Sequence, residues 1–124
     1  MKLSEMSTDQ AADVMIQIAP EIELLVNDDE FAKVIKDRKT TKDPKKASKL
    51  GGLYLLQVAT YLLKVHRGST WVILGALNQK EPEEIGKQLL SETVKQITEV
   101  LTDKEFMSFF QSLSMPARAT SSDI

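Results

Sequence analysis

A chain of 124 residues has the length of one domain. A domain of this size buries roughly two-thirds of the surface that its unfolded form exposes. Hydrophobic residues make up 42% and charged residues 27%, as in average soluble proteins, so disorder throughout the chain is excluded. The lack of cysteine excludes disulfides, thiolate metal sites and a cysteine nucleophile, and the formal net charge of −2 opposes self-association little.

The first predicted helix begins at Ser7, because its hydroxyl and the side chain of Gln10 form a capping box. Pro20 lacks a backbone donor and therefore predicts a kink or a restart of this helix. The sequence Asn27-Asp28-Asp29 predicts a stop and then the cap of another short helix. The apolar stripes of these three segments comprise Ala11, Val14, Met15 and Ile18, then Ile22, Leu25 and Val26, then Phe31, Val34 and Ile35.

A solvated loop or a frayed helix end is predicted from residue 36 to 46, where no side chain is apolar. Asp43 and Pro44 supply a cap and a first helical position, and they begin the central helix of the predicted fold, at about 44–66. Gly68 is predicted to end this helix.

The apolar surface of the central helix is wide, so we expect neighbours on more than one of its sides. Gly51-Gly52 in its interior costs about 1 kcal/mol per residue relative to alanine. The pair therefore indicates either a close backbone approach or a break, and the sequence leaves both open.

Behind Gly68, Ser69 or Thr70 is predicted to cap a helix that runs through Trp71 to Leu77. Pro82 fits the first position of the next, longer helix. The predicted inner side of that helix comprises Ile85, Leu89, Leu90, Val94, Ile97 and Leu101.

The last predicted helix begins with a second capping box, which pairs Thr102 with Glu105. Beyond Leu113 the chain is small and polar, and residues 114–124 are predicted to be a flexible tail. No segment alternates apolar and polar residues as a strand does. The predicted fold is therefore all-α, a compact bundle of six or seven helices within a single domain, 1–113.

No side-chain constellation predicts catalysis or a cofactor. His66 is the only histidine, and without cysteine a zinc site would consist almost wholly of carboxylates. At the predicted end of the central helix, His66 more plausibly caps a carbonyl. The paired acids Glu83 and Glu84 lie at a predicted helix start, where they complement the dipole. We therefore predict a non-enzymatic protein with no cofactor and no metal.

Charge is distributed unevenly along the chain. Residues 1–32 carry one lysine against eight acids, whereas residues 33–49 carry eight bases against two acids, a net charge of −7 followed by +6. The basic segment could bind phosphates without sequence preference, complement the chain's own acidic start, or dock an acidic protein. Its candidate contact residues are Lys39, Lys42, Lys45 and Lys46.

An aromatic stripe marks the last helix, where Phe106, Phe109 and Phe110 recur at helical spacing. Such a stripe is most often core. In a chain this small it could also swing out or join subunits and bury itself against another protein. We therefore take these phenylalanines, together with Trp71, as candidate partner-binding residues.

Three segments resemble the tail assembly chaperones of long-tailed, siphovirus-type bacteriophages or prophages. They are WVILGALNQKEPEEI (71–85), the opening MKLSEMSTDQAADVM (1–15) and KEFMSFF (104–110). The resemblance implies a helical protein that binds the tape-measure protein, keeps its apolar helical segments from aggregating, and helps recruit tail-tube subunits. The expected location is the cytoplasm of the bacterial host. No membrane association is expected, because the longest apolar stretch, 53–65, is interrupted by polar residues and falls short of the roughly 20 residues needed to cross a bilayer. In many such phages a ribosomal frameshift adds a C-terminal extension to some copies.

Two alternatives stay open beside this resemblance. One is a small helical nucleic-acid-binding or regulatory protein that uses the basic 33–49 segment, although no aromatic residues are interleaved with the lysines and the whole chain is acidic. The other is an enzyme with an unfamiliar carboxylate site. Homo-oligomerisation is also compatible with the sequence.

Overall fold

Seven α-helices and a short 3₁₀ helix make up residues 2–38 and 41–114, which the computed structural model describes, with the side chains at 109, 111, 113 and 114 excepted. No strand occurs among the described residues, so the predicted all-α class is confirmed. The 3₁₀ helix is Leu3–Glu5, and the α-helices are α1 Thr8–Val26, α2 Asp29–Lys36, α3 Pro44–Val65, α4 Arg67–Asn78, α5 Pro82–Lys87, α6 Leu90–Leu101 and α7 Lys104–Ser114. The predicted tail lies outside the described residues from position 115 onward.

Side-chain caps begin the first three α-helices where the sequence predicts them. The Ser7 hydroxyl accepts a hydrogen bond from the Gln10 backbone N–H at 3.2 Å, and the Gln10 side chain accepts one from the Ser7 backbone. Asp28 and Asp43 cap α2 and α3 in the same way. Each cap satisfies a backbone donor that the first turn leaves without an intrahelical partner.

Pro20 does not restart the first helix, because α1 is continuous from Thr8 to Val26. Proline removes the hydrogen bond to the carbonyl four residues earlier, which belongs to Ile16. Both Pro20 and Ile16 are exposed, so water reaches that carbonyl. The local cost is thereby reduced.

The junction between α3 and α4 differs from the prediction. Gly68 does not end α3, since α3 stops at Val65 and α4 begins at Arg67, with His66 between them. Ser69 and Thr70 are buried inside α4 and do not cap it. The Thr70 hydroxyl donates to the His66 carbonyl at 2.8 Å, which ties the new helix to the turn.

The prediction of a single long helix after Pro82 is wrong, because the structure has two helices there, α5 and α6. The backbone is extended at Gln88 and Leu89. At this break the side-chain amide of Gln88 donates to the Thr93 hydroxyl at 3.0 Å and to the side-chain oxygen Oε1 of Gln96 at 2.6 Å. Thr93 and Gln96 are buried as a result, whereas Leu89 and Leu90, which were predicted on the inner side, are exposed.

Asp103 caps α7 in place of Thr102, which instead ends α6. One carboxylate oxygen of Asp103 accepts from the Phe106 N–H at 3.4 Å, and the other accepts from the Ser4 N–H at 3.1 Å. Only 2% of Asp103 is exposed. This carboxylate therefore joins the N-terminal 3₁₀ helix to the start of α7.

Two apolar clusters form the core, and α3 contributes to both. The main cluster comprises Ile18, Ile22, Leu25, Phe31, Ile35, Tyr54, Val58, Leu62, Ile73, Ala76, Leu77, Phe106 and Phe110, and the second comprises Ala59, Leu74, Ile85 and Ile97. The central position predicted for this helix is thus confirmed. However, its Leu53, Leu56 and Val65 remain exposed, so described neighbours cover only part of its apolar surface.

The glycines of α3 and α4 have different surroundings. A Cβ at Gly75 would lie 2.5 Å from the Lys80 carbonyl oxygen, so the turn behind α4 requires glycine there. At Gly51 and Gly52, by contrast, nothing described lies within 4 Å of a Cβ, and α3 continues through both. Neither a break nor a close approach within the described chain accounts for this pair.

No described helix is long and apolar enough to cross a membrane.

Candidate partner-binding site

Helix α7 packs the side chains of Phe106 and Phe110 inward. Phe106 and Phe110 are 7% and 3% exposed, and the Phe110 ring meets the edge of Phe31 with 5.7 Å between the ring centres. These two predicted contact residues are therefore core residues while α7 is in place. A partner reaches them only if α7 moves. The side chain of Phe109 lies outside the described residues.

A cavity of about 50 Å³ lies between α7 and the helices beneath it. Its lining is apolar except for Thr70, whose hydroxyl is already used by the His66 carbonyl. The lining residues are Leu25, Phe31, Ile35, Val58, Leu62, Thr70, Ile73, Leu74, Ile97, Val100, Leu101, Phe106, Met107 and Phe110. Because protein interiors are normally close-packed, α7 fills its groove incompletely.

Hydrogen bonds hold α7 at its first turn. Apart from the backbone connection to α6, Asp103 supplies the side-chain hydrogen bonds that join this end to the rest of the described structure. Farther along, described side chains of α7 make apolar contacts, which depend on buried area and little on direction. Another amphipathic helix of similar shape would fit the same groove.

A polar cluster joins α2 to the end of α3. Asp28 Oδ2 accepts from the Tyr61 hydroxyl at 2.7 Å and lies 2.6 Å from His66 Nε2, while Oδ1 accepts from the Phe31 N–H. The Phe31 and Tyr61 rings stack with their centres 5.7 Å apart. The prediction that His66 caps a carbonyl misses this cluster, since 38 residues separate His66 from Asp28.

The cluster fixes the protonation of two of its members. Burial raises the pKa of Asp28, but hydrogen bonds from His66, Tyr61 and the Phe31 N–H outweigh it and hold this pKa below its ordinary value. The hydrogen bond to the Asp28 carboxylate raises the pKa of Tyr61 to about 12. At neutral pH an ionised Asp28 therefore accepts from a neutral tyrosine, which clamps α2 against α3.

We expect both tyrosines to ionise above pH 10, which is the ordinary pKa of a tyrosine side chain. Burial raises the pKa of Tyr54, against the opposing charge of Arg38, and the pKa of Tyr61 is raised to about 12. The stabilisation from neutral Tyr61 is present below pH 10 and is lost as the pH rises through 12. Phenolate absorbance of a Tyr54→Phe variant, which leaves one tyrosine, measures the Tyr61 midpoint; a midpoint near 10 would contradict the hydrogen bond.

The basic segment lies apart from the groove under α7. Lys42, Lys45 and Lys46 are exposed, and Lys39 lies outside the described residues. Lys45 and Lys46 occupy the first turn of α3, directly after Pro44, at the positive end of the helix dipole. Among the described residues they form no ion pair.

Trp71 packs against the second cluster and is half-buried. A Cβ at Gly86 of α5 would lie 3.2 Å from Trp71 Nε1, so α5 covers one part of the indole closely. The described members of the predicted contact set thus lie in three separate places: Phe106 and Phe110 in the core under α7, Trp71 at the second cluster, and Lys42, Lys45 and Lys46 at or just before the start of α3.

Comparison with known proteins gives no guide to these places: no family model, no curated protein and no solved structure matches the chain. Among the described residues no group of three histidine or acidic side chains is placed to hold a metal ion. We take the groove beneath α7 as the candidate binding site, because its lining is apolar and α7 fills it incompletely.

Proposed function

We propose that this chain is a non-enzymatic tail assembly chaperone of a long-tailed bacteriophage or prophage, which binds the tape-measure protein and helps recruit tail-tube subunits. The resemblance of three sequence segments to that group motivates the proposal, and the all-α fold agrees with it. The observation that supports it most is the packing of α7, an amphipathic helix that covers an apolar groove without filling it.

In the proposed mechanism α7 leaves the groove and an amphipathic helix of the tape-measure protein takes its place. Grooves of this kind receive apolar anchors at spacings i, i+3, i+4 and i+7, which is the spacing of Phe106, Phe109, Phe110 and Leu113 in the sequence of α7 itself. A chaperone needs no reaction chemistry for this exchange. The free protein stays closed, so its own core remains protected until the partner arrives.

Filling the cavity tests the exchange. Val100 lines the cavity, so Val100→Ile adds a methylene where there is space for one, and we expect the free energy of unfolding to rise by about 0.5–1 kcal/mol. The same change favours the closed form, and it should weaken binding of the tape-measure protein roughly two- to fivefold. Val72→Ile, which does not line the cavity, is the matched control.

Urea unfolding and titration with the co-purified tape-measure protein measure the two effects. If Val100→Ile stabilises the chain while affinity stays unchanged, α7 is not displaced. In a simpler experiment the chain and the full-length tape-measure protein are produced together, and the soluble yield of the latter is measured with and without the chain. An unchanged yield without co-purification would reject the chaperone role.

A second candidate function is sequence-independent binding of nucleic acid through the start of α3. The observation in its favour is the placement of Lys45 and Lys46, because cations at a helix N-terminus oppose the dipole and cost about 0.3–1 kcal/mol each. Described residues supply no acidic partner in compensation.

We expect the triple replacement of Lys42, Lys45 and Lys46 by glutamate to raise the stability of the free chain by roughly 1 kcal/mol, because the dipole is then complemented. If duplex DNA is the partner, the same variant loses affinity and the dependence of binding on salt becomes shallower. Fluorescence anisotropy with a short duplex at low and moderate salt measures this. No binding by the unaltered chain at low salt would remove the second function.

A further inference from the structure

Helix α3 presents a continuous exposed face that described residues do not cover. We name the α3 outer face after its members, which share one side of the helix: Lys45, Lys46, Lys49, Gly52, Leu53, Leu56 and Lys64. All are exposed, and Leu53 and Leu56 are 47% and 61% exposed between lysines at either end. The face is therefore apolar in its middle and positively charged at its ends.

An exposed glycine, Gly52, lies on this face. Glycine inside a helix costs about 1 kcal/mol relative to alanine, and nothing described lies near its missing side chain. Along α3, Gly52 lies between Lys49, the last of the three N-terminal lysines, and the exposed leucines Leu53 and Leu56. A glycine there lets a second helix approach α3 closely, which a side chain would prevent.

Helix α1 presents a complementary face on the same chain. Its members are Asp9, Asp13, Ile16, Pro20, Glu23 and Leu24, on the side opposite the buried Ile18, Ile22 and Leu25. Ile16 and Leu24 are 76% and 56% exposed. The α1 outer face is thus apolar with acidic neighbours, and described residues form no ion pair with those acids.

We propose that the α1 outer face of one copy docks on the α3 outer face of a second copy. The charges are opposite, each face carries exposed apolar side chains, and helices of 19 and 22 residues match in length at about 28 and 33 Å. A net charge of −2 opposes this contact little. Because the two faces differ, the contact is head-to-tail and leaves each end of a dimer able to add another copy, giving a ring or an open chain.

Two single substitutions, each on one face, test the proposal. Ile16→Lys removes the exposed apolar residue of α1 and places a cation against the lysines of α3; Leu56→Glu does the reverse on α3. Both positions are exposed, so helix content should be unchanged in circular dichroism. We expect the unaltered chain to gain mass with concentration in light scattering, and each variant to associate roughly tenfold more weakly or remain a monomer.

Mixing the two variants provides the decisive measurement. Ile16→Lys retains a normal α3 face and Leu56→Glu retains a normal α1 face, so an equimolar mixture should regain association to at least a dimer, which has twice the 13.9 kDa monomer mass. A mixture that stays monomeric while the unaltered chain associates would overturn the head-to-tail contact. A chain that is monomeric at all concentrations, including one that binds only a foreign acidic helix, would overturn self-association.

Gly52→Gln separates the contact from the stability of the helix. Glutamine is a better helix former than glycine, so we expect the midpoint of thermal unfolding to rise while self-association weakens roughly tenfold. The matched change at Gly51, which lies beside the outer face, should raise the midpoint with a smaller effect on association. Equal association of all three proteins would show that no second backbone approaches at Gly52. This inference is independent of the proposed function, because it needs neither α7 nor a tape-measure protein.

Discussion

Replacing Phe110 by alanine is expected to lower the free energy of unfolding by about 3–5 kcal/mol. Phe110 is 3% exposed and meets Phe31 edge-on. The space left by its ring would merge with the cavity of about 50 Å³ that already lies there, so little collapse can offset the loss. Urea unfolding followed by circular dichroism measures the change.

Leu89→Ala is the matched control for Phe110→Ala, because it also removes an apolar side chain but from a position that is 78% exposed. We expect it to change stability by no more than about 0.5 kcal/mol. Hydrogen exchange then distinguishes two routes of destabilisation. Loss of protection confined to α7 would show that this helix detaches by itself, as the proposed exchange requires, whereas uniform loss would show that α7 and the core unfold together.

Local signals predicted the starts of α1, α2, α3 and α5 well and the other helix starts and interruptions poorly. The Ser7–Gln10 box and the Asp28 cap depend on residues three positions apart, so the sequence contains the whole interaction. The break between α5 and α6 instead depends on Gln88 meeting Gln96, whose hydrogen bond offsets the loss of a helical turn. The periodicity of apolar residues, at 3.6 residues per turn, contains no information about such a polar network. The prediction from periodicity therefore put Leu89 on the buried side of a continuous helix.

The sequence indicated the aromatic stripe of the last helix but not how the candidate site is arranged. The spacing of Phe106 and Phe110 indicated one apolar stripe correctly, yet spacing alone does not tell whether a stripe faces its own chain or a partner. The link between Asp28 and His66 was invisible for another reason: it joins the start of α2 to the end of α3, and only tertiary packing brings these ends together. The same holds for Asp103, whose second acceptor oxygen serves Ser4 at the other end of the chain.

Removing the Asp28 side chain is the substitution with the second largest expected effect. Asp28→Ala eliminates the cap of α2 and the acceptor for Tyr61 and His66, and we expect the free energy of unfolding to fall by about 2–4 kcal/mol. Asp28→Asn keeps an oxygen for the Phe31 N–H but presents no carboxylate to Tyr61 and His66, so its loss should be about half as large. Asp43→Asn, at the cap of α3, is the control and should change stability by less than about 0.5 kcal/mol.

The effect of Asp28 should also depend on pH in a defined direction. Its pKa is lower in the folded chain than the ordinary 3.8, so its contribution is fully present above about pH 4 and is lost as the pH falls through the folded value. The stability difference between the unaltered chain and Asp28→Asn should therefore shrink as the pH falls below 4, because protonation makes the two side chains alike. Urea unfolding at a series of pH values measures this difference. If it persists undiminished at pH 2.5 to 3, with both proteins still folded, ionised Asp28 does not hold α2 against α3, and the clamp must be attributed to the stacked rings of Phe31 and Tyr61.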